Sequence, residues 1–205
     1  MTGQYFDNVD GPERRRRVTA RVWGHELTFT TAAGVFSADH LDHATAVLLR
    51  HAEPDPAARR VLDLGCGWGP IGVGLALSCP GATVDAVDVN DRALALCAEN
   101  AAAAGVGDRV RVLRPEQADP TTRYDEIWSN PPIRIGKTEL HALLLDWLPR
   151  LADEGIARLV VGKNLGADTL QRWLVDQDWR CDRLASAKGF RVLEVGPPGQ
   201  PEQPG

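Results

Sequence analysis

"VLDLGCGWGPIG", residues 61–72, carries an apolar run of strand length into three glycines spaced by single residues, and then into a proline. Val61 to Leu64 read as a buried strand interrupted only by Asp63. Pro70 suits the first turn of a helix, where its fixed φ is already helical and a missing N–H leaves nothing unpaired. Gly65, Gly67 and Gly69 allow a sharp turn with positive φ and let the backbone approach a ligand, while the helix start offers N–H groups. Strand, glycine loop and helix in that order predict an α/β fold holding a nucleotide-type ligand.

The same alternation continues toward the C-terminus. "TVDAVDVN" (83–90) leads into the helical "DRALALCAENAAAAG", and "RVRVLR" (109–114) into a loop. "YDEIWSN" (124–130) precedes the helix "TELHALLLDWLPRLA", and "GIARLVVGK" (155–163) precedes the helix "GADTLQRWLVDQ". At this spacing the units are βαβ crossovers, so the sheet is mostly parallel with helices on both faces. The last two runs, "WRCDRLASA" and "KGFRVLEVG", are joined only by a Lys188-Gly189 turn, too tight for a crossover, and are expected to pair antiparallel.

Toward the N-terminus, "LDHATAVLLRHA" reads as a leading helix. "VTARVWG" and "LTFTT" alternate with period two around Gly24-His25, as a small β-hairpin does. The run Arg14 to Arg17 alternates with nothing apolar and reads as a flexible arm, and the tail "GPPGQPEQPG" as disordered. The expected organisation is an N-terminal extension with the hairpin over 1–40, one domain over 41–196, and a disordered tail over 197–205.

With 205 residues, 43% hydrophobic and 25% charged, the chain is long enough for one good core. No 18-residue apolar run exists, and the amino terminus carries charge where a signal peptide would need an apolar stretch, so a cytoplasmic protein is expected, with no membrane partner. Cys66, Cys79, Cys97 and Cys181 show no CxxC spacing and read as small buried thiols. The five histidines lack metal-ligand spacing, so neither metal nor disulfides are expected. A net charge of -5 argues against nonspecific coating of nucleic acid, and any such partner must meet a local basic patch.

The spacing of the glycine loop narrows the ligand. A dinucleotide fingerprint G-x-G-x-x-G would need glycine at 70, where this chain has proline; it reads D-x-G-x-G-x-G, with Asp63 leading. A carboxylate there repels a pyrophosphate and attracts an ammonium group, which S-adenosylmethionine (SAM) carries. Asp88, about 20 residues beyond the glycines at the end of the next strand, is placed to accept ribose hydroxyl protons. Asp85, in the same strand, is read as structural.

"SNPPIRIGK" (129–137) supplies the second half of a site. A strand ending on Asn130-Pro131-Pro132 has given up sheet pairing for rigidity. In an open α/β sheet the ligand lies beyond the carboxyl ends of the strands, so Asn130 opens onto the same crevice as Gly65. An exocyclic amine conjugated to a ring or acyl group is a poor nucleophile. Two acceptors for its two N–H protons, Asn130 Oδ1 and the Pro131 carbonyl, would hold it in line with a methyl donor.

These segments together resemble the class I SAM-dependent methyltransferases of the small-methyltransferase-domain group, and most closely the RsmC-type enzymes that methylate the guanine exocyclic amine of small-subunit ribosomal RNA. "GVFSADHLDHATAVLL", "VVGKNLGADTLQRWL" and "KGFRVLEV" resemble the flanking parts of that group. The resemblance implies a Rossmann-like, seven-stranded sheet with an antiparallel last strand. It also implies SAM contacts from Asp63, Gly65, Cys66, Gly67, Gly69, Asp88, Val89 and Glu116, with Phe36 and Thr45 at the methionine end. Asn130, Pro131, Pro132 and Ile133 would meet the target amine. Arg134, Lys137 and Lys163 would form a basic rim, RNA would be the partner, and the protein would be a monomer or homodimer.

Two features depart from the pattern. The position after Asn-Pro-Pro is usually aromatic and stacks on a flipped base; Ile133 can pack against a base but not stack on it. RsmC-type chains are often two tandem halves, and this chain corresponds to one. Other substrates therefore remain open at this point: a protein glutamine, a DNA adenine or a small-molecule amine. So does a non-catalytic SAM-binding or RNA-scaffold domain, although an intact glycine loop and Asn130 weigh against that.

Overall fold

The computed structural model describes residues 14–132 and 136–198. Its elements, in chain order, are β1 (Arg15–Val22), β2 (His25–Ala32), α1 (His43–His51), β3 (Arg60–Leu64), α2 (Pro70–Ser78), β4 (Thr83–Val87), α3 (Asp91–Ala103), β5 (Val110–Leu113), β6 (Tyr124–Ser129), α4 (Lys137–Trp147), β7 (Leu151–Gly162), α5 (Ala167–Asp176), β8 (Arg180–Ala187) and β9 (Phe190–Gly196). Seven strands form one sheet in the order β5-β4-β3-β6-β7-β9-β8, and β1 and β2 form a separate hairpin. β5, β4, β3, β6 and β7 run parallel, while β9 is antiparallel to both β7 and β8. This is the Rossmann-like sheet expected, with the Lys188-Gly189 turn closing its reversed edge.

Period two in the strands sorts the core into two layers. Val61, Val84, Ala86, Trp128, Val160 and Val192 face the layer of α1, α2 and the hairpin. Leu62, Leu64, Ile127, Leu159 and Leu193 face α4 and α5. Asp85 is accounted for within the fold: it is buried, takes both Arg111 Nε and Nη2 at 2.6 and 2.7 Å, and accepts the Tyr124 hydroxyl at 2.8 Å.

Three local expectations change. The Arg run is not a free arm: Arg15 to Arg17 open β1, Arg15 donates twice to Glu99 at 2.8 and 3.0 Å, and Arg16 pairs with Asp39. Backbone pairing with β2 orders these residues without any apolar alternation. The hairpin turn lies at Trp23-Gly24, where both φ angles are positive, and His25 already pairs with Val22; such a turn matches the twist of its strands. The helix expected over 138–152 ends at Trp147, because Pro149 cannot continue its hydrogen bonding, and β7 begins at Leu151. The segments 199–205 and 133–135 lie outside the described residues, and with them the tail expectation from 199 onward, Ile133 and Arg134.

The hairpin is seated through a glycine. A Cβ on Gly74 of α2 would stand 2.3 Å from Val22 Cγ1 and 3.0 Å from the Trp23 ring. Helix propensity alone favours alanine at such a site by about 1 kcal/mol. Gly74→Ala is nevertheless expected to lower the midpoint of thermal unfolding through overpacking of about 1–3 kcal/mol, and Val22→Ala in the same chain to restore it. A rise in the midpoint with Gly74→Ala alone would show that the hairpin does not dock there.

Candidate active site

Three neighbouring strands end together where the strand order reverses. Leu64 is in register with Val87 on one side and with Ser129 on the other, so Gly65, Asp88 and Asn130 leave the sheet side by side. Ser129 Oγ donates to the Leu64 carbonyl at 2.7 Å and ties two of these ends together.

Gly65 and Gly67 have φ of +77° and +55°, and a Cβ on either would project into open space. Gly69 serves another need: at φ +91°, its Cβ would lie 2.7 Å from Cys97 Sγ, so it permits the approach of α3. Most N–H groups here are already occupied. Gly65 and Cys66 both donate to the Val87 carbonyl at 2.8 and 3.0 Å, Gly67 donates to Asp88 Oδ2 at 2.9 Å, and Gly72 donates to Asp63 Oδ2 at 2.7 Å. The N–H groups expected to be free at the helix start are therefore not all free, since Asp63 takes one of them and Pro70 has none. A loop wired in this way, with two carboxylates beside it, does not make a phosphate cradle.

Asp63 is fully buried beneath the loop and does not reach the cavity wall. Burial pushes its carboxyl up to about 7, the Gly72 N–H pulls it down, and nearby Asp88 raises it further. Its Oδ1 is buried with no hydrogen-bond partner among the described residues. An ammonium group in the cavity would satisfy that oxygen through a bridging water. Asp88 lines the cavity, and its Oδ1 accepts the Asn90 N–H at 2.9 Å. Each Asp88 oxygen then keeps acceptor capacity for a hydroxyl. Burial raises its pKa, against the N–H groups of Asn90, Gly67 and Val89.

The cavity in front of these strand ends has a volume of about 300 Å³. Phe36, Thr45, Gly65, Cys66, Gly67, Val89, Asn130 and Pro132 share its wall with Asp88. Asn130 Nδ2 donates to Asp42 Oδ2 at 2.8 Å and to Thr45 Oγ1 at 3.0 Å. Trp68 is buried on the wall, and its Nε1 donates to the Phe36 carbonyl at 3.1 Å, which ties the segment after the hairpin to the glycine loop.

A family model described as the methyltransferase small domain matches residues 26–194. The chain belongs to this family. Its cofactor is SAM, which suits both the acidic loop and the orphan Asp63 oxygen. The uncharacterized protein YbxB of Bacillus subtilis (strain 168) is 30% identical over 199 residues, covering 95% of this chain and 98% of that one. Ribosomal RNA small subunit methyltransferase C of Shewanella sp. (strain MR-4) is 33% identical over 145 residues, covering 68% of this chain but only 41% of its own length. Among solved structures, the T. thermophilus 16S rRNA N2 G1207 methyltransferase (RsmC), in complex with AdoMet and guanosine, matches with a TM-score of 0.74 at 26% identity, over 91% of this chain and 51% of that chain.

Not every expected residue of the methyltransferase site reaches the cavity. Pro131 is buried beside it, and Glu116 stands next to Pro115, which does line it. Lys137 opens α4 and Lys163 follows β7; both are exposed at the carboxyl edge of the sheet but off the wall. Cys66 lines the cavity as a thiol, not a thiolate: contact with Cys97 and burial push it well up, which argues against a nucleophilic role. Sequence reasoning missed Asp42, Leu143, Asp146 and Trp147 on the wall. Asp42 carried a signal, an acid directly before an apolar helical run, and it does cap α1 by accepting the Thr45 N–H at 3.0 Å. The three residues of α4 carried none, since its helical periodicity does not say which of its ends meets a cavity.

Proposed function

We propose that this protein transfers the methyl group of SAM to an exocyclic amine of RNA, the guanine N2 of ribosomal RNA being the substrate favoured. The observation that carries this reading is Asn130, held rigidly before two prolines on the wall of the same cavity as the glycine loop. The match to a 16S rRNA guanine N2 methyltransferase over nearly the whole chain favours guanine.

When bound, SAM supplies an electrophilic methyl: the N–C bond forms as the C–S bond breaks, the bonding pair leaves with sulfur, and the amine nitrogen releases one proton to solvent. The chain's own part is placement. Asn130 Oδ1, on the wall, accepts an amine proton and aims the lone pair, with Pro131 and Pro132 holding the amide rigid behind it. This acceptor also stabilises the positive charge that develops on nitrogen. Asp63 and Asp88 hold the ammonium and ribose ends of the cofactor, with Gly65 and Gly67 letting it lie close to the backbone. Phe36 and Trp147 give the wall aromatic surface that Ile133 does not offer. Lys137 and Lys163 meet phosphates at the rim.

The test is to incubate the protein with methyl-labelled SAM and ribosomal RNA, small subunits or precursor particles from a strain lacking the gene. N2-methylguanosine by nucleoside mass spectrometry is expected. Label that stays with protein after nuclease treatment, or no labelled nucleoside from any of the three, would end the RNA reading.

A further inference from the structure

We propose that Asp42 is a positioning residue for methyl transfer, one that fixes which end of the Asn130 amide faces the substrate; this rests on the amine-methylating role of Asn130 given above. A primary amide has two ends of nearly equal shape, and the two orientations do opposite things here. With Oδ1 toward the cavity, Asn130 accepts a proton from an incoming amine. Rotated by half a turn, it presents an NH2 group to another NH2 group and can hold nothing.

The surroundings of Asn130 decide between the two. Asp42 Oδ2 and Thr45 Oγ1 take Nδ2 at 2.8 and 3.0 Å, which uses both amide protons and leaves Oδ1 as the end available to accept from an amine. A carboxylate only accepts, so the reversed amide would set two acceptors against each other at that distance. The anion also polarises the amide and concentrates electron density on Oδ1, the atom that must hold an amine whose nitrogen becomes positive in the transition state. The same Asp42 Oδ2 accepts the Thr45 N–H at 3.0 Å, so the cap of α1 and the aim of Asn130 are set by one oxygen. Residues far apart in the chain, at the start of α1 and at the end of β6, thus converge on the wall of the cavity that Asp88 also lines.

Two variants separate positioning from folding. Asp42→Ser keeps a good helix cap but is too short to reach Asn130. Its single-turnover rate with SAM and RNA is expected to fall about 10- to 100-fold, less than the roughly 10²- to 10³-fold cost of losing a transition-state hydrogen bond outright because Asn130 itself remains, with SAM affinity changed less than about threefold. In an Asn130→Ala background the same substitution is expected to cost nothing further.

Asn130→Asp puts two carboxylates against each other and is expected to be nearly inactive. Asp42→Ser combined with Asn130→Asp removes the facing carboxylate and keeps the cap, and is expected to be at least about tenfold faster than Asn130→Asp alone, because a carboxylate at 130 accepts at either end and needs no orienting. An unchanged rate in Asp42→Ser, an equal loss in the Asn130→Ala background, or no recovery in that pair overturns the proposal.

A measurement independent of turnover keeps it separate from the proposed function. In 15N-labelled protein, the side-chain amide pair that disappears in Asn130→Ala should move toward the position of a free amide in Asp42→Ser. If it moves while no RNA is methylated, the amide clamp stands and the substrate reading fails; if it does not move, Asp42 does not orient Asn130.

Discussion

Asn130→Ala is expected to lower turnover by about 10²- to 10³-fold while SAM affinity stays within about threefold, as measured by single-turnover methylation and by calorimetry. The side chain stands on the cavity wall beyond the carboxyl end of β6, separated from the glycine loop by the width of one strand pairing. Its removal leaves the loop, Asp63 and Asp88 in place, because none of their hydrogen bonds involves it. What is lost is an acceptor that strengthens as charge develops on the amine, so the loss falls on the chemical step rather than on cofactor binding. Unchanged turnover would make Asn130 a structural amide. A large loss of SAM affinity would instead move it to the cofactor side of the site.

The second large effect concerns pH and Asp63. Its carboxyl is pushed up to about 7 by burial, so in the free protein it is mostly neutral below that pH and charged above it. An ammonium binds the charged form. If only that form is competent, SAM affinity is expected to be roughly 20-fold higher at pH 7.5 than at pH 5.5, and to weaken again as the amino group of SAM loses its proton near pH 8. Asp63→Asn, which keeps an acceptor for the Gly72 N–H, should abolish the acidic limb of this profile.

Stability without SAM should run the opposite way. The folded pKa lies above the ordinary value of 3.8, so between about 4 and 7 the folded state binds more protons than the unfolded one. The contribution of this group is therefore full below about pH 4 and is lost as pH rises toward 7, by an amount on the order of 4 kcal/mol. Unfolding by denaturant at pH 5 and pH 8 should show the part of that loss falling in this window, on the order of 2–3 kcal/mol, in the wild type and not in Asp63→Asn. Identical pH slopes in the two proteins would mean that Asp63 is not held in its neutral form.

Much of the site was legible because local rules generated it. The glycine loop follows from steric freedom at three positions, and Asp88 from its distance past that loop. Asn130 stood out because two prolines cannot follow a paired strand without a reason. The α4 boundary was misread because leucines at helical spacing continue up to Pro149, and only the interruption of hydrogen bonding there ends the helix. The Arg run was misread because a hairpin edge is ordered by backbone pairing and by partners such as Glu99, distant in the chain, and not by its own side-chain pattern.

Composition, the alternation of apolar runs and two short motifs were sufficient for the parallel sheet, its reversed edge, the glycine loop and the amide that shares its cavity. These are consequences of period, chirality and turn chemistry, which act over a few residues. Which carboxylate does what depended on tertiary structure. Asp63, the leading acid of the motif, sits sealed beneath the loop with one orphan oxygen, while Asp42, unmarked except as a helix cap, meets Asn130 on the cavity wall. Burial and long-range hydrogen bonding set those roles, and both arise only when strands distant in the chain are brought side by side.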